Sequence, residues 1–239
     1  MSPSISAFFP VLNEEETVER LTRDLIKVLE AGFDPYEVII VDDGSTDRTG
    51  PIADSLQGEF PERVRVIHRA VSSGYGGALR AGFAAARYDL VFYTDGDYQF
   101  DLADLPRAAA MLKDNDMVIG YRVNRKDNRR RIFFSWGYNR LVRILFGLKC
   151  RDVDSSFKLF KTDALRRIPL RSSGYFIDTE ILVGAKRRGL KFVETGVRHL
   201  PRLHGESKVR LGHVREAIRE IIEFRRISHR EKNREPRRR

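Results

Sequence analysis

The chain has 239 residues, of which 41% are hydrophobic and 33% charged, a balance that suits a globular protein with a buried core. Its single cysteine excludes an internal disulfide, as expected in a reducing compartment. No apolar run reaches the roughly 18 residues of a spanning helix, and the N-terminal segment has no basic stretch typical of a secretory leader. The net charge of +10 predicts an anionic partner, whether nucleic acid, a membrane surface or a phosphorylated substrate.

Strands and helices alternate in the first half of the chain. Buried apolar runs predict strands at 4–11, 36–41, 64–68 and 90–94. Helical spacing predicts a helix beginning at Asn13, where Glu16 would complete a capping box, and further helices at 46–56 and 78–86. This alternation is typical of an α/β fold with a largely parallel sheet. Ligands of such sheets bind beyond the carboxyl ends of the strands.

Acidic or amide side chains follow three of these predicted strands. They are Asn13 and Glu14, Asp42 and Asp43, and Asp95, Asp97 and Gln99. Oxygen donors of this kind suit Mg²⁺ or Mn²⁺, which proteins hold with one or two carboxylates while substrate phosphates complete the shell. We expect Gly96 to let the backbone approach a ligand closely. Turn formation and helix capping by Ser45 or Asp47 would also account for acidic residues at such positions.

Four segments, PVLNEEE, VDDGSTD, TDGDYQ and HLPRLHGESKV, resemble in this order glycosyltransferase family 2 enzymes of the dolichyl-phosphate mannose synthase type. The resemblance covers about residues 4–210. It implies the GT-A fold, a Rossmann-like nucleotide-sugar fold in which helices flank a mostly parallel central sheet. It also implies a hexosyltransferase that moves a sugar, with inversion, from a GDP- or UDP-linked donor, often to a polyprenyl phosphate.

The resemblance assigns roles to residues that match its motifs. The nucleoside would be cradled by Pro10, Leu12, Glu14, Val41 and Asp43. The donor diphosphate would lie beside Asp95, Gly96 and Asp97, and Mg²⁺ or Mn²⁺ would be held by Asp95, Asp97 and Gln99, with Asp97 counted as catalytic. The donor diphosphate or the acceptor phosphate would be bound by Arg122, Arg202 and Lys208.

Two positions depart from the pattern of the family. Tyr75 stands where a lysine is common, and the segment SSFK at 155–158 stands where SGFR is common. These differences concern the acceptor more than the donor.

Further elements are predicted in the second half: helices at 101–115, 132–148 and from Ile177, and strands at 117–120 and 191–198, with 151–160 a loop leading into a short strand. Helix 132–148 carries many aromatic residues and follows the basic run 122–131. It is too short to cross a bilayer and too apolar for a free surface. We therefore expect it to lie in the core, at a membrane surface or in a homodimer interface.

Asp178, near the start of the helix from Ile177, is the candidate general base. An acceptor hydroxyl needs such a base, whereas a lipid phosphate, with a second pKa of about 6, is already largely ionised at neutral pH. In the second case Asp178 would only orient the acceptor.

The C-terminal part is predicted to contain an amphipathic helix at 209–227, which completes a single catalytic domain at 1–227, and a basic disordered tail at 228–239. Such a tail binds anionic lipid or, without specificity, nucleic acid. The expected partners are a nucleotide sugar, a lipid phosphate and an anionic membrane, and no specific nucleic acid because its motifs are missing. We expect a cytoplasmic protein associated peripherally with the cytoplasmic face of a membrane. The alternatives are transfer to a soluble or protein hydroxyl and a basic nucleic-acid-binding protein.

Overall fold

The computed structural model describes residues 2–125, 129–201, 219–222 and 224. The strands are β1 (Ile5–Val11), β2 (Tyr36–Asp42), β3 (Val64–His68), β4 (Leu90–Tyr93), β5 (Met117–Val123), β6 (Lys158–Lys161) and β7 (Phe192–Arg198). The α-helices are α1 (Val18–Gly32), α2 (Thr49–Glu59), α3 (Gly74–Ala85), α4 (Leu105–Ala110), α5 (Arg129–Phe146), α6 (Thr162–Arg166) and α7 (Ile177–Arg187).

The strands form one sheet in the order β3-β2-β1-β4-β6-β5-β7. All neighbouring pairs are parallel except β4–β6 and β5–β6, because β6 runs in the opposite direction. The predicted mostly parallel sheet is therefore confirmed. From β1 the chain moves outward to β2 and β3 and then returns to the other side of β1 as β4. The order thus switches at β1, the position where open α/β sheets bind ligands.

Helices cover both faces of the sheet. One hydrophobic cluster joins the sheet to α1 and α2, and a second joins the opposite face to α3, α5 and α7. Every residue of β2 and β4 is buried. This two-sided burial explains why these strands read as continuous apolar runs in the sequence.

Several predicted helix boundaries are wrong. Helix α1 begins at Val18, not Asn13, because Asn13 adopts a positive φ of 51°. Its N–H donates to Ser45 Oγ at 2.9 Å and its Oδ1 accepts from Thr46 N at 2.7 Å. The side chain that was expected to cap α1 therefore ties the loop after β1 to the loop after β2.

The other differences between predicted and observed helices concern where each helix begins and ends. Helix α2 begins at Thr49 instead of residue 46. Helix α3 begins at Gly74 instead of residue 78, so the glycine-rich segment 74–77 forms its first turn. The predicted helix 101–115 is broken into α4 and two flanking 3₁₀ turns. Helix α5 spans Arg129–Phe146, displaced from the predicted 132–148.

At the C-terminus, residues 219–222 and 224 are helical, in agreement with the prediction there. The remainder of the predicted helix 209–227 and the tail 228–239 lie outside the described residues. None of the helices in the described ranges combines the length and apolar character required to cross a membrane.

Helix α3 lies unusually close to β1 at Gly82. A Cβ atom at this position would lie 2.2 Å from Cδ2 of the buried Phe8 ring. The same ring packs on Phe83 and Tyr93, with ring centroids 4.9 Å and 5.7 Å away. Because the Phe8 ring and the Tyr93 ring are both fully buried, the Phe8 ring has little room to move aside.

We expect Gly82→Ala to lower the free energy of unfolding by about 1 to 3 kcal/mol through overpacking, although alanine is the better helix former by about 1 kcal/mol. The matched control is Gly58→Ala in α2, where a new Cβ would meet nothing within 4 Å. That variant should be neutral or more stable than the wild type. Urea unfolding of the two variants measures the difference, and equal stabilities would contradict the close packing of α3 on β1.

Candidate active site

The loops that follow β1, β2 and β4 are joined at the carboxyl ends of these strands. Asp43 N, at the end of β2, donates to Val11 O at 2.9 Å. Thr17 Oγ1, after β1, donates to Gly96 O at 2.8 Å in the loop after β4. The three acidic clusters expected from the sequence therefore lie together at the carboxyl ends of the strands.

Asp43 connects β2 to the start of α3. Its buried carboxylate accepts hydrogen bonds from Ser72 Oγ at 2.6 Å and from Ser73 N at 3.1 Å, and Arg69 Nε lies 3.2 Å away. The carboxylate is thus held in a fixed orientation, as a group that selects a ligand requires.

The other residues expected to meet the nucleoside differ in accessibility. Pro10, near the end of β1, and Leu12 and Glu14, in the loop after it, are half-buried. The Val41 side chain is fully buried in the core cluster with Phe8, so a ligand would meet the backbone of Val41 and not its side chain.

The loop after β4 carries the candidate metal ligands. Asp95 and Asp97 are half-buried, and Asp95 Oδ1 accepts from Tyr75 OH at 2.9 Å. Gln99 is buried, and its Nε2 donates to Leu200 O at 3.5 Å while Leu200 N donates to Gln99 O at 2.8 Å. The Gln99 side chain thus also ties this loop to the segment after β7.

This donor set fits a divalent cation that arrives with a phosphate ligand. Within the described ranges, no group of three or more His, Cys, Asp or Glu side chains is arranged to hold a metal ion. Two carboxylates and one amide oxygen supply hard donors but do not fill a shell, which is the usual situation for Mg²⁺ bound together with phosphates.

Gly96 packs directly against β1. A Cβ atom there would lie 2.6 Å from Pro10 O and 2.8 Å from Val11 Cγ1. The missing side chain therefore lets the loop after β4 lie against β1. The close approach of the Gly96 backbone to a ligand stays a prediction.

Asp178 lies in the first turn of α7, as predicted, in a buried cluster. Its Oδ1 accepts hydrogen bonds from Tyr93 OH and Lys158 Nζ, and Lys158 Nζ also lies 3.1 Å from Tyr93 OH. Burial raises the pKa of Asp178, and the Lys158 ammonium opposes this rise. Because Oδ1 already accepts hydrogen bonds from an ammonium and a phenol, the geometry favours an orienting role. The role of Asp178 as a base stays a prediction.

Arg122 is engaged in a second buried ion pair. Its Nε and Nη2 contact Asp152 Oδ2 and Oδ1 at 2.7 Å and 2.6 Å, and both side chains are more than nine-tenths buried. Although burial opposes it, Arg122 holds the pKa of Asp152 below its usual value. The role of Arg122 at a phosphate stays a prediction, and Arg202 and Lys208 lie outside the described residues.

Two residues near this cluster had no assigned role. Lys158 is fully buried, and its only signal in the sequence was a lysine at a position where the family commonly has arginine. Burial, together with the charges of Asp152 and Asp178, raises the pKa of Asp154 to about 7. The sequence placed Asp154 in a loop and gave no indication of its burial.

Comparison with known proteins identifies the family to which the chain belongs. Residues 6–169 match the family model described as glycosyl transferase family 2. The chain is 33% identical over 227 residues to the undecaprenyl-phosphate mannosyltransferase of Micrococcus luteus, covering 90% of each chain. It is 30% identical over 199 residues to the polyprenol monophosphomannose synthase of Mycolicibacterium smegmatis, covering 78% of this chain and 75% of that one.

Among solved structures, the chain resembles glucosyl-3-phosphoglycerate synthase from Mycobacterium tuberculosis in complex with Mn²⁺, UDP and glucosyl-3-phosphoglycerate. The TM-score is 0.69 at 23% identity, covering 90% of this chain and 77% of the other. The likenesses define the class of protein as a glycosyltransferase with the GT-A fold. The chain belongs to glycosyl transferase family 2, which confirms the resemblance seen in its motifs.

The raised pKa of Asp154 makes stability depend on pH. Because the folded chain holds this proton more tightly than the unfolded chain, the free energy of unfolding falls as the pH rises from about 4 to about 7. Asp154→Asn removes this cost. At pH 8 we expect the variant to be more stable than the wild type by about 2 to 4 kcal/mol, since one pKa unit corresponds to about 1.4 kcal/mol.

The two proteins should be equally stable near pH 2.5, where the carboxyl is neutral in both states. Urea unfolding across this pH range measures the difference. The control is Asp163→Asn at a side chain that is 97% exposed, which should follow the wild type at every pH. A constant difference between Asp154→Asn and the wild type would contradict the raised pKa.

Proposed function

We propose that the enzyme transfers a sugar, with inversion, from a UDP- or GDP-linked donor to a polyprenyl phosphate at the cytoplasmic surface of a membrane. The names of the two relatives above, an undecaprenyl-phosphate mannosyltransferase and a polyprenol monophosphomannose synthase, support this acceptor class. The structural observation that carries the proposal is the exposed aromatic face of α5, described below.

The donor site in this proposal lies beyond the carboxyl ends of β1, β2 and β4. Pro10, Leu12, Glu14 and Asp43 would hold the nucleoside. Asp95, Asp97 and Gln99 would hold Mg²⁺ or Mn²⁺, in keeping with the glucosyl-3-phosphoglycerate synthase structures solved with UDP and either ion. Such an ion, when bound, neutralises charge that develops on the departing nucleoside diphosphate.

The buried state of Asp178 fits a phosphate acceptor. An oxygen of the acceptor phosphate forms a bond to the anomeric carbon while the bond from that carbon to the diphosphate oxygen breaks, so the configuration inverts. The acceptor phosphate is already largely ionised at neutral pH, and no side chain has to take a proton from it. Asp178, engaged by Lys158 and Tyr93, then orients its surroundings and needs no free lone pair for catalysis.

The exposed face of α5 supports action at a membrane. Phe133, Phe134, Trp136 and Ile144 are 67%, 56%, 55% and 69% exposed. The guanidinium carbon of Arg140 lies 5.9 Å from the centre of the Trp136 ring. A surface of exposed aromatic side chains with arginine beside them is typical of helices that lie in the membrane interface.

The opposite face of α5 is fixed to the catalytic part of the molecule. Val142 is buried, Asn139 Oδ1 accepts from Val153 N at 2.7 Å, and Tyr138 OH lies 2.9 Å from Thr179 Oγ1. Of the three places expected for this helix, the core is therefore wrong for its aromatic face. A membrane surface and a homodimer interface remain, and we propose the membrane.

We expect Trp136→Glu to weaken binding to vesicles that contain anionic lipid by about tenfold or more, since burial of a large apolar side chain is worth about 1.5 to 3 kcal/mol. Vesicle co-sedimentation measures the change. Val71→Glu, at a 79% exposed residue outside α5, is the control. It adds the same negative charge and should weaken vesicle binding much less than Trp136→Glu does. If Trp136→Glu binds vesicles normally but converts a dimer to a monomer, the α5 face is an interface between two copies.

Asp97→Asn should lose most turnover while keeping the fold, because one of the two carboxylates proposed to hold the cation is gone. The assay uses UDP- and GDP-linked sugars with Mn²⁺ and a short-chain polyprenyl phosphate in detergent. Asp114→Asn, at an exposed residue before β5, should be fully active. A fully active Asp97→Asn enzyme that needs no metal would overturn the proposed donor site.

Transfer to a soluble or protein hydroxyl is the second candidate, and one observation favours it. A hydroxyl needs a general base, and a base works best with a pKa near the operating pH. The pKa of about 7 at Asp154 meets that condition. Loss of turnover in Asp154→Asn, together with activity on water-soluble hydroxyl acceptors without detergent, would favour this candidate over the lipid phosphate.

A further inference from the structure

The phenol of Tyr75 binds directly to one of the candidate metal ligands. Tyr75 OH donates to Asp95 Oδ1 at 2.9 Å. A tyrosine phenol is protonated at neutral pH, because its ordinary pKa is about 10, so it acts as the donor in this hydrogen bond. The hydrogen bond restricts rotation of the Asp95 carboxylate without placing a positive charge beside it.

The ring of Tyr75 is held by a second tyrosine. Tyr175 stacks on it with ring centroids 5.2 Å apart and planes inclined by 20°. The two rings are brought together because α3 contacts the loop before α7. Gly76 N donates to Ser173 O at 2.8 Å, and a Cβ atom at Gly76 would lie 2.6 Å from Ser172 O.

The loop that presents Tyr175 is itself fixed by the carboxylates of Glu180, which is buried, and Glu220, which is half-buried. Glu180 Oε2 accepts hydrogen bonds from Arg171 N and Ser172 N, both at 2.9 Å. Glu220 Oε1, from the described part of the C-terminal helix, accepts from Ser172 Oγ at 2.7 Å. A ring held this way loses little further freedom when the ligand site is filled, which is the property expected of a residue that orients a metal ligand.

We infer that Tyr75, fixed by Tyr175, is a positioning residue that orients Asp95 for the divalent cation. The inference rests on the proposed function, because it concerns the cation that Asp95 and Asp97 would hold. It gives a role to a residue that departs from the lysine common at this position. A neutral donor holds the carboxylate as a lysine would but leaves its negative charge uncompensated for a cation.

The test measures cation binding directly. Mn²⁺ is titrated by calorimetry into the protein in the presence of UDP or GDP. Tyr75→Phe keeps the ring and its stacking but removes the hydroxyl, and Mn²⁺ affinity should fall about tenfold, the lower end of the effect of losing a partner of a metal ligand. Tyr175→Leu should also weaken Mn²⁺ binding. Tyr175→Phe, which keeps the stacked ring, should bind Mn²⁺ as tightly as the wild type.

Tyr36→Phe is the matched control, since it removes the hydroxyl of a buried tyrosine at the start of β2, the opposite end from the candidate site. It should leave Mn²⁺ affinity unchanged. Thermal unfolding without ligand should be the same for Tyr75→Phe and the wild type, which separates positioning from a general structural role. Equal Mn²⁺ affinity in Tyr75→Phe and the wild type overturns the inference and leaves the proposed function intact. If the wild type binds no Mn²⁺ with either nucleotide, the proposed metal site fails and the inference fails with it.

Discussion

The contact between Gly96 and the Pro10 carbonyl is the constraint on which the candidate site depends. A side chain at residue 96 would collide with β1 at 2.6 Å. Because β1 is central and pairs in parallel with both β2 and β4, a loop displaced from β1 would move Asp95 and Asp97 away from the loop that carries Asp43. The Thr17 hydroxyl bound to Gly96 O holds the same contact from the other side. The geometry of the donor side thus follows from backbone packing at the point where the strand order switches.

The other half of the site is organised by buried charges. The Lys158–Asp178 and Arg122–Asp152 pairs connect β6 to α7 and β5 to the loop after α5. Removing such charges from water is costly, and the gain in stability from a buried pair is often small. The pairs therefore contribute mainly by fixing which groups face one another. Asp154 illustrates this cost, since desolvation and the charges of Asp152 and Asp178 raise its pKa to about 7 although Arg122 and Lys158 oppose the rise.

The sequence predicted those features that local pattern determines. The continuous apolar run of β2 identified a strand buried on both faces, and the i, i+2 spacing of Asp95 and Asp97 after β4 identified a candidate ligand loop. It failed where a distant partner competes with a local one. Asn13 and Glu16 match a capping box, but Ser45 and Thr46 bind Asn13 instead. The packing of Gly96 against Pro10 likewise left no signal of its own in the sequence, since it depends on a strand distant along the chain. The buried position of Lys158 left no local trace, because burial depends on what packs from other elements.

Helix α5 shows why an apolar segment cannot be placed by composition alone. Its aromatic residues suit a core, a dimer interface or a membrane equally well, and the choice depends on which face the rest of the fold already uses. Here Asn139 binds the backbone N–H of Val153, the residue between Asp152 and Asp154. The face that anchors the helix is therefore joined to the loop that carries the buried acids, and the aromatic face is left outward. A membrane contact through Phe133 and Trp136 would consequently bring this loop to a fixed position relative to the lipid surface, where the proposed lipid phosphate acceptor would be received.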